Sequence, residues 1–186
     1  MGINYRKCPN CGSLKVVNIL YGMPSYEGFL EAKEGKVKLG GCCISLTSPQ
    51  YYCKECTREW SRDEDINMEY QKIIGLAADI GSFSTGMYKI ELNFSTRELS
   101  WRHFGEEKVK IIQMRKMDNF KENLKNLELL NWKRKYVEPD ILDGTQWSVE
   151  IIRKGRNINK YGSNKFPENW EEFCKEMSKI SGEKFG

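Results

Sequence analysis

The residues of this chain whose type and spacing could do chemistry are its cysteines, of which there are seven. Four of them form two Cys-x-x-Cys pairs, Cys8 with Cys11 and Cys53 with Cys56. Each such turn lets two thiolates converge on one ion, and two turns complete the tetrahedron of a closed structural zinc site. We therefore expect these four cysteines to bind one structural Zn²⁺ per chain.

Other interpretations of the two pairs stay open. A Cys-Pro-x-Cys sequence is also typical of thioredoxin-like redox motifs, although nothing around Cys8 resembles the βαβ unit that such a motif needs. Two pairs of buried cysteines without a metal are a further possibility. A disulfide framework is typical of secreted proteins, and the N-terminus lacks the apolar core of a signal peptide, so metal binding is the preferred interpretation.

Cys42 and Cys43 lie between the pairs, in the sequence LGGCCI. The pairs already supply four thiolates at matched spacing, so Cys42 and Cys43 are not needed as metal ligands. Because adjacent residues of a strand point to opposite faces, we expect one of them to pack inside, near the site, and the other to face outward.

The segment that separates the pairs predicts a ribbon with a short helical insertion. Residues 15–21 (KVVNILY) predict a strand, and Gly22-Met23-Pro24 a turn. Ser25 is a candidate N-cap for a helix through Glu34, and residues 37–44 predict a second strand.

These motifs together resemble a widespread group of small bacterial zinc-ribbon proteins. The resemblance covers residues 1–60, within a predicted ribbon domain of residues 1–62. It implies a zinc-ribbon fold with the four paired cysteines as ligands, a packing role for Cys42 and an incidental Cys43, but it implies no reaction. The matching elements are CPNCGS, YGMP, an acidic short helix, GKVKLGGC, a proline, and YYCKEC followed by Trp60.

Residues 70–186 predict a second domain of antiparallel hairpins and helices, so the expected fold class of the chain is α+β. We expect strands at 72–79, 86–94 and 98–104 and then a helix from Asp118 to about Leu130. The segments that start at Tyr88 and Trp147 are faintly similar, which makes a duplicated ββα unit one possible arrangement.

The last part of the chain predicts a second hairpin and a final helix. A turn at Asp143-Gly144 precedes a strand at 146–153, which pairs back with 156–161. The helix is expected to begin at Pro167. Its apolar stripe is expected to belong to the core and consists of Trp170, Phe173, Cys174, Met177 and Ile180.

The sequence contains little that is typical of an enzyme. Its one histidine is His103, which we expect at a hairpin end rather than as a general base, and it has no phosphate-loop or dinucleotide-binding motif. The first hypothesis is therefore a non-enzymatic protein-interaction or adaptor module with an unknown protein partner. An enzyme with an active pocket in the second domain is the weakest of three hypotheses.

The second hypothesis is nucleic-acid binding, through the ribbon or a basic hairpin. No acidic residue lies between positions 153 and 165. Basic side chains beside aromatic rings can contact phosphates and stack a base. The alternative is that these basic side chains form a solvated sheet edge that resists pairing with another strand, and this is the interpretation we favour. The candidate contacts are Arg153, Lys154, Arg156, Lys160, Tyr161 and Lys165.

The charge and hydropathy of the chain limit its partners. The net charge is only +4, and the first 70 residues carry as many acidic as basic side chains, which argues against a dedicated nucleic-acid binder. No apolar run approaches the ~18 residues of a membrane-spanning helix. We therefore expect a cytoplasmic protein without membrane association.

Overall fold

The computed structural model describes residues 3, 6–139 and 144–186. The chain divides into two compact units, a smaller one over Ile3–Tyr70 and a larger one over Gln71–Gly186. Helices and mixed sheets are both present, so the predicted α+β class is confirmed. The expected turn at Asp143-Gly144 includes Asp143, which lies outside the described residues.

The smaller unit contains a four-stranded sheet in the order β2-β1-β3-β4. Strand β1 runs parallel to β2 and antiparallel to β3, and β3 is antiparallel to β4. A helix, α1, connects β1 to β2, and α2 follows β4. Their bounds are β1 Val16–Leu20, α1 Tyr26–Lys33, β2 Val37–Leu39, β3 Tyr51–Cys53, β4 Glu59–Trp60 and α2 Arg62–Gln71.

The short helix between the cysteine pairs lies where its N-cap predicts. The hydroxyl oxygen of Ser25 accepts a hydrogen bond from the Gly28 amide at 3.2 Å, and α1 begins at the next residue, Tyr26. The second strand is shorter than expected, because β2 ends at Leu39. Cys42 and Cys43 therefore lie in a loop rather than on a strand.

The larger unit contains a seven-stranded sheet in the order β8-β7-β6-β5-β10-β11-β9. All neighbouring strands are antiparallel except β11 and β9. The strands β8 and β9 were not expected from the sequence. The bounds are β5 Ile73–Ser82, β6 Gly86–Asn93, β7 Glu98–His103, β8 Glu106–Ile111, β9 Lys135–Val137, β10 Gln146–Arg153 and β11 Ile158–Ser163.

Two helices, α3 (Met114–Asn126) and α4 (Trp170–Ser181), complete the larger unit, with a 3₁₀ turn at Leu129–Asn131. Helix α3 begins before the predicted Asp118, and α4 begins after the predicted Pro167. Helix α4 ends at Gly182, whose φ of 67° is the left-handed conformation that glycine adopts at little cost.

The core of the larger unit lies on one face of its sheet. Along β5 the buried side chains of Leu76, Ala78 and Ile80 alternate with less buried ones. Helix α4 packs on this face, since the ring centroid of Trp170 lies 4.4 Å from that of Trp147 on β10. The predicted apolar stripe of α4 is buried except for Cys174, which is half-buried.

The sheet register argues against the duplicated ββα unit. Tyr88 and Trp147 both pair with Ile80 of the central strand β5, so β6 and β10 run parallel to each other with the same faces inward. However, β7 lies outside β6 on one side, and β11 lies outside β10 on the other. A rotation that placed β6 on β10 would place β7 on β5, so the two hairpins have opposite hands and are not copies of one unit.

Candidate metal centre

The first cysteine pair lies in a tight turn before β1. The Cys8 carbonyl accepts a hydrogen bond from the Gly12 amide at 2.9 Å, and the Cys8 amide donates to the Ser13 carbonyl at 2.8 Å. Gly12 has a φ of 73°. Glycine adopts this left-handed conformation freely, which explains why it follows the second cysteine of the pair.

The second cysteine pair repeats this turn bond for bond. The Cys53 carbonyl accepts from the Thr57 amide at 2.9 Å, and the Cys53 amide donates to the Arg58 carbonyl at 2.9 Å. Thr57 takes the position of the glycine, with a φ of 61°. A β-branched residue is strained in this conformation, so the second turn is held against a local cost.

The two turns bring four sulfur atoms together. The Sγ atoms of Cys8, Cys11, Cys53 and Cys56 all lie within 4.8 Å of one another. Two of these contacts join the pairs crosswise, with 3.5 Å between Cys8 and Cys56 and 3.6 Å between Cys11 and Cys53. Zinc–sulfur bonds of about 2.3 Å in a tetrahedron place the sulfurs about 3.8 Å apart, so the cluster has the size that a metal ion needs.

The cluster is buried on one side only. Cys8 and Cys53 are buried against the ring of Trp60, and Val16 and Tyr51 pack around them. Cys11 is exposed. Within the described residues of the smaller unit, the buried apolar side chains are those of Cys8, Ile19, Cys53 and Trp60. Half of this small core thus consists of the cysteines themselves.

The four sulfur atoms resist joint ionisation. The amide of Arg58 lowers the pKa of Cys56 to about 6. The amide of Ser13 acts in the same sense on Cys11, but desolvation and the neighbouring thiols, first Cys53, raise the pKa of Cys11 to about 12. Thiolates this close repel one another, so all four are stable together only beside a cation.

Cys42 and Cys43 do not belong to the cluster. Both side chains are exposed, in the loop that follows β2. The expectation that one of them packs inside is therefore wrong. Its premise was a strand through Ile44, whereas Gly41 has a φ of 89° and ends the extended backbone.

The residues proposed for nucleic-acid contact do not form one surface. Lys154 and Arg156 are exposed in the turn between β10 and β11, and Tyr161 is half-exposed. Arg153 is half-buried, and Lys165 pairs with Glu138 at 3.6 Å.

Lys160 is excluded from any such contact because its side chain is 0% exposed. Its Nζ donates hydrogen bonds to the carbonyls of Leu130, at 3.1 Å, and Trp132. Adjacent residues of a strand face opposite ways, which places Tyr161 on the other face of the sheet. The alternation of Ile158, Lys160 and Gly162 is the only sequence signal of this burial.

His103 lies at the end of β7, as expected. Its Nε2 is 3.0 Å from the carbonyl oxygen of Thr85, and its ring stacks on Tyr88 with 3.7 Å between centroids. A carbonyl oxygen only accepts hydrogen bonds, so this contact places the proton of His103 on Nε2 and leaves the lone pair on Nδ1.

Within the described parts of the chain, no helix combines the length and apolar character needed to cross a membrane. Comparison of the chain with protein-family models, with curated proteins and with solved structures found no match. Its class therefore follows from the fold and the site: an α+β protein with a four-cysteine cluster in its smaller unit.

Proposed function

We propose that the smaller unit is a zinc ribbon in which Cys8, Cys11, Cys53 and Cys56 hold one structural Zn²⁺ per chain. The convergence of four sulfurs from two equivalent turns is the observation that supports this proposal. A tetrahedral set of four thiolates suits zinc or iron. A structural site needs no redox chemistry, and zinc has none, so we favour zinc. The bound ion supplies a cross-link between the turns.

The small core gives the physical reason for this cross-link. A unit of this length gains little stability from its hydrophobic core alone, and this core consists of few side chains. Metal binding then contributes directly to folding, as in other small zinc modules. A centre of four thiolates also requires a reducing compartment, so we place the protein in the cytoplasm.

For the whole chain we infer a non-enzymatic role as a protein-interaction or adaptor module. Four thiolates complete the coordination of zinc and leave no position for a substrate or an activated water. His103 is engaged in stacking and hydrogen bonding. Interaction is therefore the function that this arrangement supports best.

Metal analysis of cysteine variants tests the proposal. The protein as isolated is expected to contain one zinc per chain. Cys53→Ser is expected to lose stoichiometric zinc, because Cys53 is both a ligand and a core residue. Cys42→Ser and Cys43→Ser are the matched controls and are expected to keep it, since both thiols lie outside the cluster. Loss of zinc in either control would overturn the ligand assignment.

Nucleic-acid binding is the second candidate function, and the exposed Lys154 and Arg156 at the hairpin turn favour it. Binding of single- and double-stranded DNA and RNA at two salt concentrations tests it. Phosphate contacts give an affinity that falls steeply with salt. Salt-sensitive binding that Lys154→Ala and Arg156→Ala together remove would support this candidate, whereas no binding at micromolar protein would exclude it.

A further inference from the structure

The smaller unit carries an open groove whose lining includes none of the four clustered cysteines. Its volume is about 430 Å³. The lining combines apolar side chains from α1, β1, β2 and β3 with three lysines, and it contains no carboxylate. The lining residues that matter here are Val17, Phe29, Ala32, Lys33, Lys38, Tyr52 and Lys54.

The helix beside this groove presents apolar side chains to solvent. The only buried residue of α1 is Gly28, whereas Tyr26 is 79% exposed, Phe29 45% and Leu30 40%. Met23, in the turn before the helix, is 99% exposed. Apolar side chains that lie together on an exposed surface are typical of a site that another molecule covers.

The lysines give the groove its charge. Lys38 forms an ion pair with Glu59 and lies over the Tyr52 ring, with 4.0 Å from Nζ to the ring centroid. Lys33 lies over the Phe29 ring at 4.8 Å, and Lys54 donates to the Gly35 carbonyl at 2.8 Å. Among the described residues, neither Lys33 nor Lys54 has a carboxylate partner. Both ammonium groups can therefore pair with a carboxylate of a ligand.

We propose that this groove binds a short acidic peptide segment, with a bulky apolar side chain on the Phe29 and Tyr52 floor and carboxylates at Lys33 and Lys54. The proposal rests on the proposed role of the ribbon as an interaction module and names the chemistry of its partner. A polyanion without apolar groups fits less well, because the first 70 residues have no excess of basic charge and the exposed surface beside the groove is apolar.

Fluorescence anisotropy with the full chain tests this proposal. The probe is a labelled peptide of sequence Glu-Asp-Glu-Trp-Leu-Asp-Glu-Asp. One comparison peptide has lysine in place of every acidic residue, and another has serines in place of Trp-Leu. The acidic apolar probe is expected to bind at least about tenfold more tightly than either comparison peptide.

Variants assign the binding to the groove. Ala32→Trp fills the groove and Lys33→Glu reverses one charge, so each is expected to weaken the probe about tenfold. Lys36→Glu is the matched control, because Lys36 pairs with Glu34 and lies outside the lining. It is expected to leave the affinity within about twofold. If Ala32→Trp impairs folding, Lys33→Glu at its exposed position still provides the test.

Several outcomes would overturn the proposal. These are equal binding of the acidic and basic peptides, equal weakening by Lys36→Glu and Lys33→Glu, displacement of the probe by a single-stranded oligonucleotide at lower concentration, and a concentration-dependent dimer that Ala32→Trp abolishes. The zinc content of the same samples is measured in parallel. Stoichiometric zinc without peptide binding would contradict this inference alone, whereas missing zinc would contradict the proposed function.

Discussion

At the scale of single residues, Lys160 differs most from what its sequence context suggests. It lies in a basic stretch, yet its side chain is fully buried and its amine caps the carbonyls of the 3₁₀ turn. Desolvation lowers its pKa from 10.5 to about 8. Among the described residues no carboxylate pairs with this buried cation, so its burial costs free energy, and the two carbonyl acceptors offset part of that cost.

The stability of the larger unit should therefore depend on pH through Lys160. Below pH 8 the Lys160 amine is protonated in both the folded and the unfolded state, and the full free-energy cost of burying its charge is present. Between pH 8 and 10.5 the unfolded state binds more protons, so the free energy of unfolding rises with pH, by up to about 3 kcal/mol for this group. Urea unfolding at pH 7, 9 and 10.5, followed by tryptophan fluorescence, measures this rise.

Lys160→Met provides the comparison for this prediction. The variant lacks the titrating amine, so the part of the rise that is due to Lys160 is expected to disappear while all other groups titrate as before. Equal pH profiles for the variant and the wild type would show that Lys160 does not have its lowered pKa in the folded protein.

At the scale of elements, the two cysteine turns share their hydrogen bonds but differ in one residue. The left-handed position holds Gly12 in the first turn and Thr57 in the second. A left-handed conformation costs a non-glycine residue roughly 1–2 kcal/mol. The smaller unit thus contains a matched pair of positions for testing how turn strain affects the proposed metal binding.

Exchanging these residues should change zinc affinity in opposite directions. Thr57→Gly relieves the strain, and because metal binding and folding of the unit are coupled, zinc affinity is expected to rise about fivefold. Gly12→Thr introduces the strain and is expected to lower affinity by a similar factor. Competition with a chromophoric chelator measures both. A fall in affinity for Thr57→Gly would contradict this account of the turn.

The elements also show where sequence reasoning succeeds. Helix α1 and the hairpins β6–β7 and β10–β11 follow from capping and turn residues and were predicted close to their positions. Strand β8 was missed because its sequence, EEKVKI, has only two apolar residues, and all six side chains are exposed. Helix α3 begins before Asp118 because Met117 already packs in the core.

The candidate site was also predicted only in part. The spacing of the cysteine pairs predicted the sulfur cluster, since local turn chemistry brings each pair together. It did not predict that the loop after β2 leaves Cys42 and Cys43 exposed, because the backbone turns at Gly41. The alternation of Ile158, Lys160 and Gly162 hints at the burial of Lys160, but its partners are the carbonyls of Leu130 and Trp132, a long-range contact that this local pattern does not encode.

At the scale of the whole molecule, the two units differ in what holds them together. The larger unit has an extensive core of its own, built on the inner face of β5, β6 and β10 and on helices α3 and α4. The smaller unit has few buried side chains besides the cysteines and Trp60. The two units therefore should respond differently to loss of metal.

Chelation is expected to unfold the smaller unit alone. A strong zinc chelator should abolish hydrogen-exchange protection in β1 and β3 and leave that of β5 and β10 unchanged, because the proposed zinc site lies in the smaller unit alone. Added zinc should restore the protection. Hydrogen-exchange mass spectrometry measures both regions in one sample, and loss of protection in both units together would contradict independent stability.

The proposed function depends on four thiolates that hold one zinc ion. X-ray absorption spectroscopy at the zinc edge, on protein purified without added metal, tests it most directly. We expect one zinc per chain with four sulfur neighbours at about 2.3 Å and no lighter ligand. A nitrogen or oxygen neighbour, a different metal, or a chain that folds without a metal would contradict it.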